Sequence, residues 1–226
     1  DTFKMLKDNG VEMQRREFAV GVRIEHLSDS ISFAQYGNNF KFLPTADYKF
    51  VSHAGERTVF TFCMCPGGVV VSSSSEEGGV VTNGMSEYAR DGVNSNSALM
   101  VQLKFSDFCS DDLFAGMRYQ QNLERLAYEA GGNSYRAPVQ LYKDFKSDEV
   151  SYKFGDVEPS YLAGVSFANL NEVLPAVAVE SLKKAIPDFG KKLKGFDCPD
   201  AVLTGIESRF TSPVRILRDE NCESIS

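Results

Sequence analysis

The sequence has no run of about 18 apolar residues, so no transmembrane helix is indicated. Its opening, DTFKMLKDNG, lacks the apolar core of a signal peptide. Basic residues are not in excess: 24 Lys and Arg stand against 31 Asp and Glu, for a net charge of −7. That balance weighs against nucleic acid and against an anionic membrane surface as partners. Lys191-Lys192-Leu193-Lys194 is the one basic cluster, and such a run reads as a solvated helix end. Two nucleotide-binding loops are also missing, G-x-G-x-x-G and G-x-x-x-x-G-K-[ST], as is the G-x-S-x-G of a serine nucleophile. Cys63-x-Cys65 has no second cysteine pair, and Cys109, Cys198 and Cys222 are lone. His26 and His53 have no ligand-type neighbours in sequence, so the spacing disfavours zinc. Five scattered cysteines suit reduced thiols in a cytoplasm better than a disulfide framework.

What is present is an ordinary globular composition: 226 residues, 42% hydrophobic and 24% charged. Residues 1–15 read as a helix tail closed by Gly10. Glu17 to Glu25 alternates, with Phe18, Val20, Val22 and Ile24 on one face and Ala19, Gly21, Arg23 and Glu25 on the other, which predicts a half-buried strand. Asp29 to Asp47 reads as loop with one helical turn. Tyr48–Val51, Thr58–Met64, Val69–Ser73 and Leu99–Phe105 read as further strands. Met117 to Ala130 has helical spacing and ends at Gly131-Gly132. Pro138 to Tyr142 reads as a strand with its proline at the first position or on an edge. Lys143 to Lys153 is expected to be exposed. A second helix over 169–185 is expected to stop at Pro187, and strands are expected at 201–206 and 214–217. Strands, then helices, then strands predict an α+β fold with a mixed or antiparallel, barrel-like sheet and a small helical subdomain. The segments divide as 1–15, a β-rich 16–115, a helical 116–199 with a strand at 135–142, and returning strands at 200–226.

Turn formers and polar groups concentrate between Thr58 and Ala98. This stretch holds Cys63, Cys65, Pro66, Gly67, Gly68, the serines 72–75, Thr82, Asn83, Gly84, Met85, Arg90, Asn94 and Asn96. Such a stretch suits close backbone approach to a flat, polar-edged ligand. A strained Cys63–Cys65 disulfide would give a thiol-redox alternative. A second polar concentration, Thr204 to Pro213, offers Arg209 either to an anion or to a surface salt bridge.

Read together and in order, FAVGVRIEH (18–26), QYG (35–37), FCMCPGG (62–68), VTNGMS (81–86), NSNSAL (94–99), GMRYQQNLE (116–124) and LTGIESRFTSPVRI (203–216) resemble one family. That family comprises bacterial FAD-dependent dehydrogenases related to flavoproteins of the glutathione-reductase-like fold. The resemblance covers nearly the whole chain. FCMCPGG followed by TNGMS is its specific part. Leu27 and Phe210 depart from it, where proline and a small hydroxyl residue are more usual.

The resemblance implies a longer parent in which a Rossmann-type FAD-binding half precedes this region and a glycine-rich segment follows it. This chain would then be the inserted, substrate-side domain, without a complete Rossmann domain. FAD would belong to the full-length enzyme and not to this chain alone. The rest of the same polypeptide and an unknown small-molecule substrate would be its partners. The residues implied to face flavin and substrate are Cys63, Cys65, Pro66, Gly67, Gly68, Thr82, Asn83, Gly84, Met85, Arg90, Asn94, Asn96 and Arg209. A non-catalytic small-ligand-binding module is the alternative from another class.

Overall fold

The computed structural model describes residues 2–108 and 110–225; Asp1, Cys109 and Ser226 lie outside the described residues. The chain opens with α1 (Thr2–Asp8) and β1 (Met13–Arg15), then β2 (Phe18–Leu27) and α2 (Ser28–Tyr36), which runs into a 3-10 turn at Gly37–Phe42. Next come β3 (Val51–Ser52), β4 (Val59–Cys65), β5 (Gly68–Ser72), β6 (Thr82–Ser86) and β7 (Asn94–Leu103). The second half holds α3 (Ala115–Ala130), β8 (Ala137–Leu141), α4 (Tyr142–Ser147), β9 (Val165–Phe167) and α5 (Leu170–Val173). It ends with α6 (Ala176–Lys192), β10 (Val202–Glu207) and β11 (Val214–Ile216). No helix among the described residues is long and apolar enough to cross a membrane.

The α+β class expected from the sequence holds. The main sheet is open, with the order β3-β4-β7-β2-β10-β8-β9, and is antiparallel except for the parallel pair β8–β9. β5 and β6 form a separate hairpin, and β1 pairs with β11 from Met13↔Ile216 to Arg15↔Val214.

β2 is the central strand. It pairs with β7 along its whole length, from Phe18↔Leu103 to Leu27↔Asn94. Ten residues extend roughly 33 Å at about 3.3 Å per residue. One face carries Phe18, Val20, Val22 and Ile24 beside Leu99, Val101 and Leu103. These share one core with Leu123 and Ala127 of α3 and with Leu182, Ile186 and Phe189 of α6.

The opposite face is buried too, which corrects the half-buried reading of β2. Arg23 and Glu25 are both 0% exposed. β2 lies inside the sheet, and the β5–β6 hairpin and the segment around Ser160 cover the face that alternation left to water.

Other expectations shift for physical reasons. The first of the returning strands expected at 200–226 is built into the main sheet: β10 is interior, between β2 and β8, with every residue buried. Val202, Leu203 and Ile206 are apolar on both sides of this strand, as a doubly covered strand requires. α6 continues through Pro187, because Ile186 before it and Phe189 after it stay in the core. Pro138 is the second residue of β8, beyond the point where pairing with β10 ends at Thr204↔Val139. Its missing N–H therefore costs no bond to that neighbour. Lys143 to Lys153 is only partly exposed: α4 buries Tyr142 and Phe145. Strand structure near residue 50 is confined to Val51–Ser52, and 28–42 is almost wholly helical.

Candidate functional site

The two glycine-rich loops named from sequence meet. β5 and β6 pair from Gly68↔Ser86 to Ser72↔Thr82, which sets Val69 opposite Met85. Ser86 Oγ donates to the Pro66 carbonyl at 2.8 Å. Gly67 has φ +52, and a Cβ there would lie 1.9 Å from the Arg90 carbonyl oxygen. Only glycine fits a turn that is both left-handed and this close to backbone.

Beneath the hairpin lies Arg23, which the sequence reading had turned toward solvent. Its NH1 donates to Glu207 Oε2 at 3.1 Å. Its NH2 donates to the Cys63 carbonyl at 2.8 Å and approaches Cys65 Sγ at 3.5 Å. Nε donates to Asn96 Oδ1 at 3.1 Å. One guanidinium thus ties together β2, the bulged end of β4, β7 and the end of β10. Its planar fork suits such a role in a way a lysine would not. Gly84 roofs this cluster: a Cβ there would fall 2.0 Å from Arg23 NH2 and 2.5 Å from Asn96 Oδ1. The side-chain amide nitrogen of Asn96 and the hydroxyl of Thr82 are buried without a partner among the described residues.

β4 bulges between Phe62 and Cys65, and Cys63 takes a left-handed φ of 40. This turns Cys63 to the surface while Cys65 is buried, its thiol donating to the Cys63 carbonyl at 3.3 Å. Burial and the charge of Glu207 push the Cys63 thiol up, partly offset by Arg23. That direction is opposite to the one a nucleophilic thiolate needs. Burial likewise raises Glu207, again offset by Arg23.

Arg23's neighbour on the same face is Glu25. It accepts from Asn94 Nδ2 at 2.9 Å and from the Ser160 backbone N–H at 3.1 Å. Ser160 Oγ in turn accepts from Val70 N–H at 2.8 Å. Burial raises Glu25 against these hydrogen bonds. Asn94 therefore anchors an acid and a strap; Asn96 anchors the guanidinium. On the apolar face, His26 places Nε2 2.6 Å from the Phe196 carbonyl oxygen, and burial lowers its pKa to about 4.

The structure thus gathers Cys63, Cys65, Pro66, Gly67, Gly68, Thr82, Gly84, Met85, Asn94 and Asn96 into one region. Asn83 and Met85 are both exposed on β6, Met85 at 57%. Arg90 is exposed and has φ +52; its carbonyl packs against Gly67 and accepts from Thr45 Oγ1 at 2.6 Å. Arg209 is placed elsewhere. Its Nε and NH2 bind Glu124 Oε1 and Oε2 at 2.6 and 2.7 Å, and NH2 reaches Glu76 at 3.3 Å. The salt-bridge alternative describes it. A groove of about 690 Å³ beside it is lined by Glu76, Gln120, Gln121, Arg209 and Thr211 and shares no lining residue with the Cys63 surface. The end of β10 and the residues after it join the two regions: Glu207 pairs with Arg23, and Ser208 and Arg209 with Glu124.

Arg23, Glu25 and Glu207 were not among the residues picked from sequence. Charges inside FAVGVRIEH, an otherwise apolar strand, were the available signal. Among the described residues no group of three or more His, Cys, Asp or Glu is placed to hold a metal ion.

Residues 17–210 match the family model for FAD-dependent protein, C-terminal domain-like. An uncharacterized protein of Clostridium beijerinckii is 50% identical over 230 residues. The alignment covers 100% of this chain and 43% of that relative, so the chain spans less than half of the relative's length. The chain belongs to the family of C-terminal-domain-like regions of FAD-dependent proteins.

Proposed function

We propose that this chain is the substrate-side domain of an FAD-dependent oxidoreductase, with its Cys63–Gly68 and Thr82–Met85 wall turned toward flavin and substrate. The supporting observation is the convergence of those two loops over a buried, fully engaged Arg23, in a chain that belongs to an FAD-dependent family. In this reading the rest of the polypeptide is cytoplasmic with it and holds most of the cofactor.

FAD, when bound in the longer protein, supplies the ring that accepts a hydride. This chain's residues do the rest of the work at the wall. Arg23 fixes the Cys63 carbonyl and the Glu207 carboxylate side by side. Gly84 and Gly67 let backbone come close where a side chain would block. Arg23 and Glu207 keep only 0% and 6% of their side-chain surface exposed, and so little water strengthens the ion pair.

The test compares the chain with the longer polypeptide. The 226-residue chain is expected to purify without flavin absorbance and without dehydrogenase activity, and the longer form to carry about one FAD per chain. A stoichiometrically yellow 226-residue chain would overturn the reading. So would a reading frame that encodes no dinucleotide-binding motif alongside this region.

A further inference from the structure

We infer that Glu207, Cys63 and the Phe62–Phe210 ring pair form a ligand subsite for a planar ring that carries a neutral N–H or O–H donor. This deepens the reading above and rests on it for the wall's orientation. Sequence alone did not point to Glu207, and the family match does not assign it a role.

The first support is the way Glu207 is held. It is 5% exposed, and Arg23 satisfies only Oε2. No hydrogen bond from the described residues reaches Oε1, and Oε1 is not sealed inside the protein either. A carboxylate with one oxygen pinned from behind and the other unpaired and narrowly open is set to accept a hydrogen bond from outside. Arg23 and Glu207 together are neutral. An anion would meet the bare Oε1, whereas a neutral donor gains a bond to a charged acceptor in a poorly solvated place.

The second support is the platform beside it. Phe210 meets Phe62 edge-on, with ring centroids 4.4 Å apart, and Phe60 at 5.3 Å. Phe62 keeps 39% of its surface exposed. Phe62 directly precedes Cys63, and Phe210 follows Glu207 by three residues, so short chain links tie the ring pair to the polar pair. Aromatic faces of this kind take flat rings in offset or edge-on contact. Stability does not account for the arrangement, since a buried ion pair is often no better than apolar residues of similar volume.

The test uses Cys63 as a reporter. The chain is alkylated with iodoacetamide at fixed pH, labelled peptides are mapped by mass, and exposed Cys222 serves as internal reference. Three probes are compared: lumiflavin, its N3-methyl derivative, and nicotinamide. Selective slowing at Cys63 by lumiflavin, lost on N3-methylation, upholds the subsite as one for the flavin ring. Slowing by nicotinamide alone upholds it as one for the substrate. Equal protection by both flavins, or none by any probe, overturns it.

Glu207→Gln should raise the half-protecting concentration about tenfold, the size of one hydrogen bond to a charged group. Should that variant fail to fold, Phe210→Leu keeps the ion pair and should still weaken protection by at least threefold, about the worth of one aromatic contact. Full protection in the folded variants contradicts the proposal. None of these outcomes depends on the flavin content of the longer polypeptide. Protection by nicotinamide with no FAD in that polypeptide would leave the subsite and remove the flavin reading.

Discussion

The two faces of β2 are equally buried and differ in what buries them. On one, Val20, Val22 and Ile24 meet side chains from α3 and α6 in a continuous apolar core. On the other, Arg23 and Glu25 meet a hairpin, a strap and the end of β10. The apolar face needs only shape and volume. The polar face needs partners at named atoms, because a buried charge without one costs several kcal/mol. The first face explains why the sheet folds; the second explains why the CMCPGG and TNGMS loops sit where they do.

The largest expected effect breaks that contrast directly. Arg23→Met leaves Glu207 buried and unpaired and should cost about 3–5 kcal/mol in urea denaturation. Adding Glu207→Leu should recover most of the loss, since both charges are then gone. On the apolar face, Leu99→Ala should cost about 2–5 kcal/mol, and no second charge removal should rescue it.

A pH experiment separates the faces next. His26 is held neutral, with its folded pKa lowered from 6.5 to about 4. The unfolded chain therefore takes up a proton that the folded one refuses, and stability falls as pH drops from about 6.5 to about 4. The full loss from this group is about 3 kcal/mol. Glu25 and Glu207 are raised by burial, so they work in the opposite direction, becoming less costly as pH falls. Comparing wild type with His26→Gln isolates the histidine: the difference in stability between them should shrink or invert across that window.

Smaller effects belong to the roof and the rim. Gly84→Ala pushes a methyl into a pinned guanidinium and should cost about 1–3 kcal/mol, with faster alkylation of Cys63 as the hairpin lifts. Glu76→Gln removes only the outer partner of half-exposed Arg209 and should change stability by less than about 0.5 kcal/mol.

Much of this was legible in the sequence, and the limits have physical causes. Period-two alternation marked β2 and β7, and helical spacing marked α3. The Gly67 turn was recognisable because its left-handed backbone demands glycine locally, whereas the need at Gly84, on β6, comes from Arg23 and Asn96, which are remote in sequence. What alternation cannot supply is which face is covered. Arg23 looked solvent-facing because its partner Glu207 lies 184 residues away. Arg209 looked free for an anion because Glu124 is on α3, 85 residues earlier. Pro187 looked terminal because helix propensity counts a lost bond and does not count the burial of Phe189.

The central claim is that the Cys63 wall faces the flavin in the longer polypeptide. Its most direct measurement is the alkylation rate of Cys63 in that polypeptide with FAD bound and after FAD is stripped. Bound FAD is expected to slow Cys63 by about tenfold or more, the effect of covering an exposed thiol. Equal rates in the two forms would contradict it.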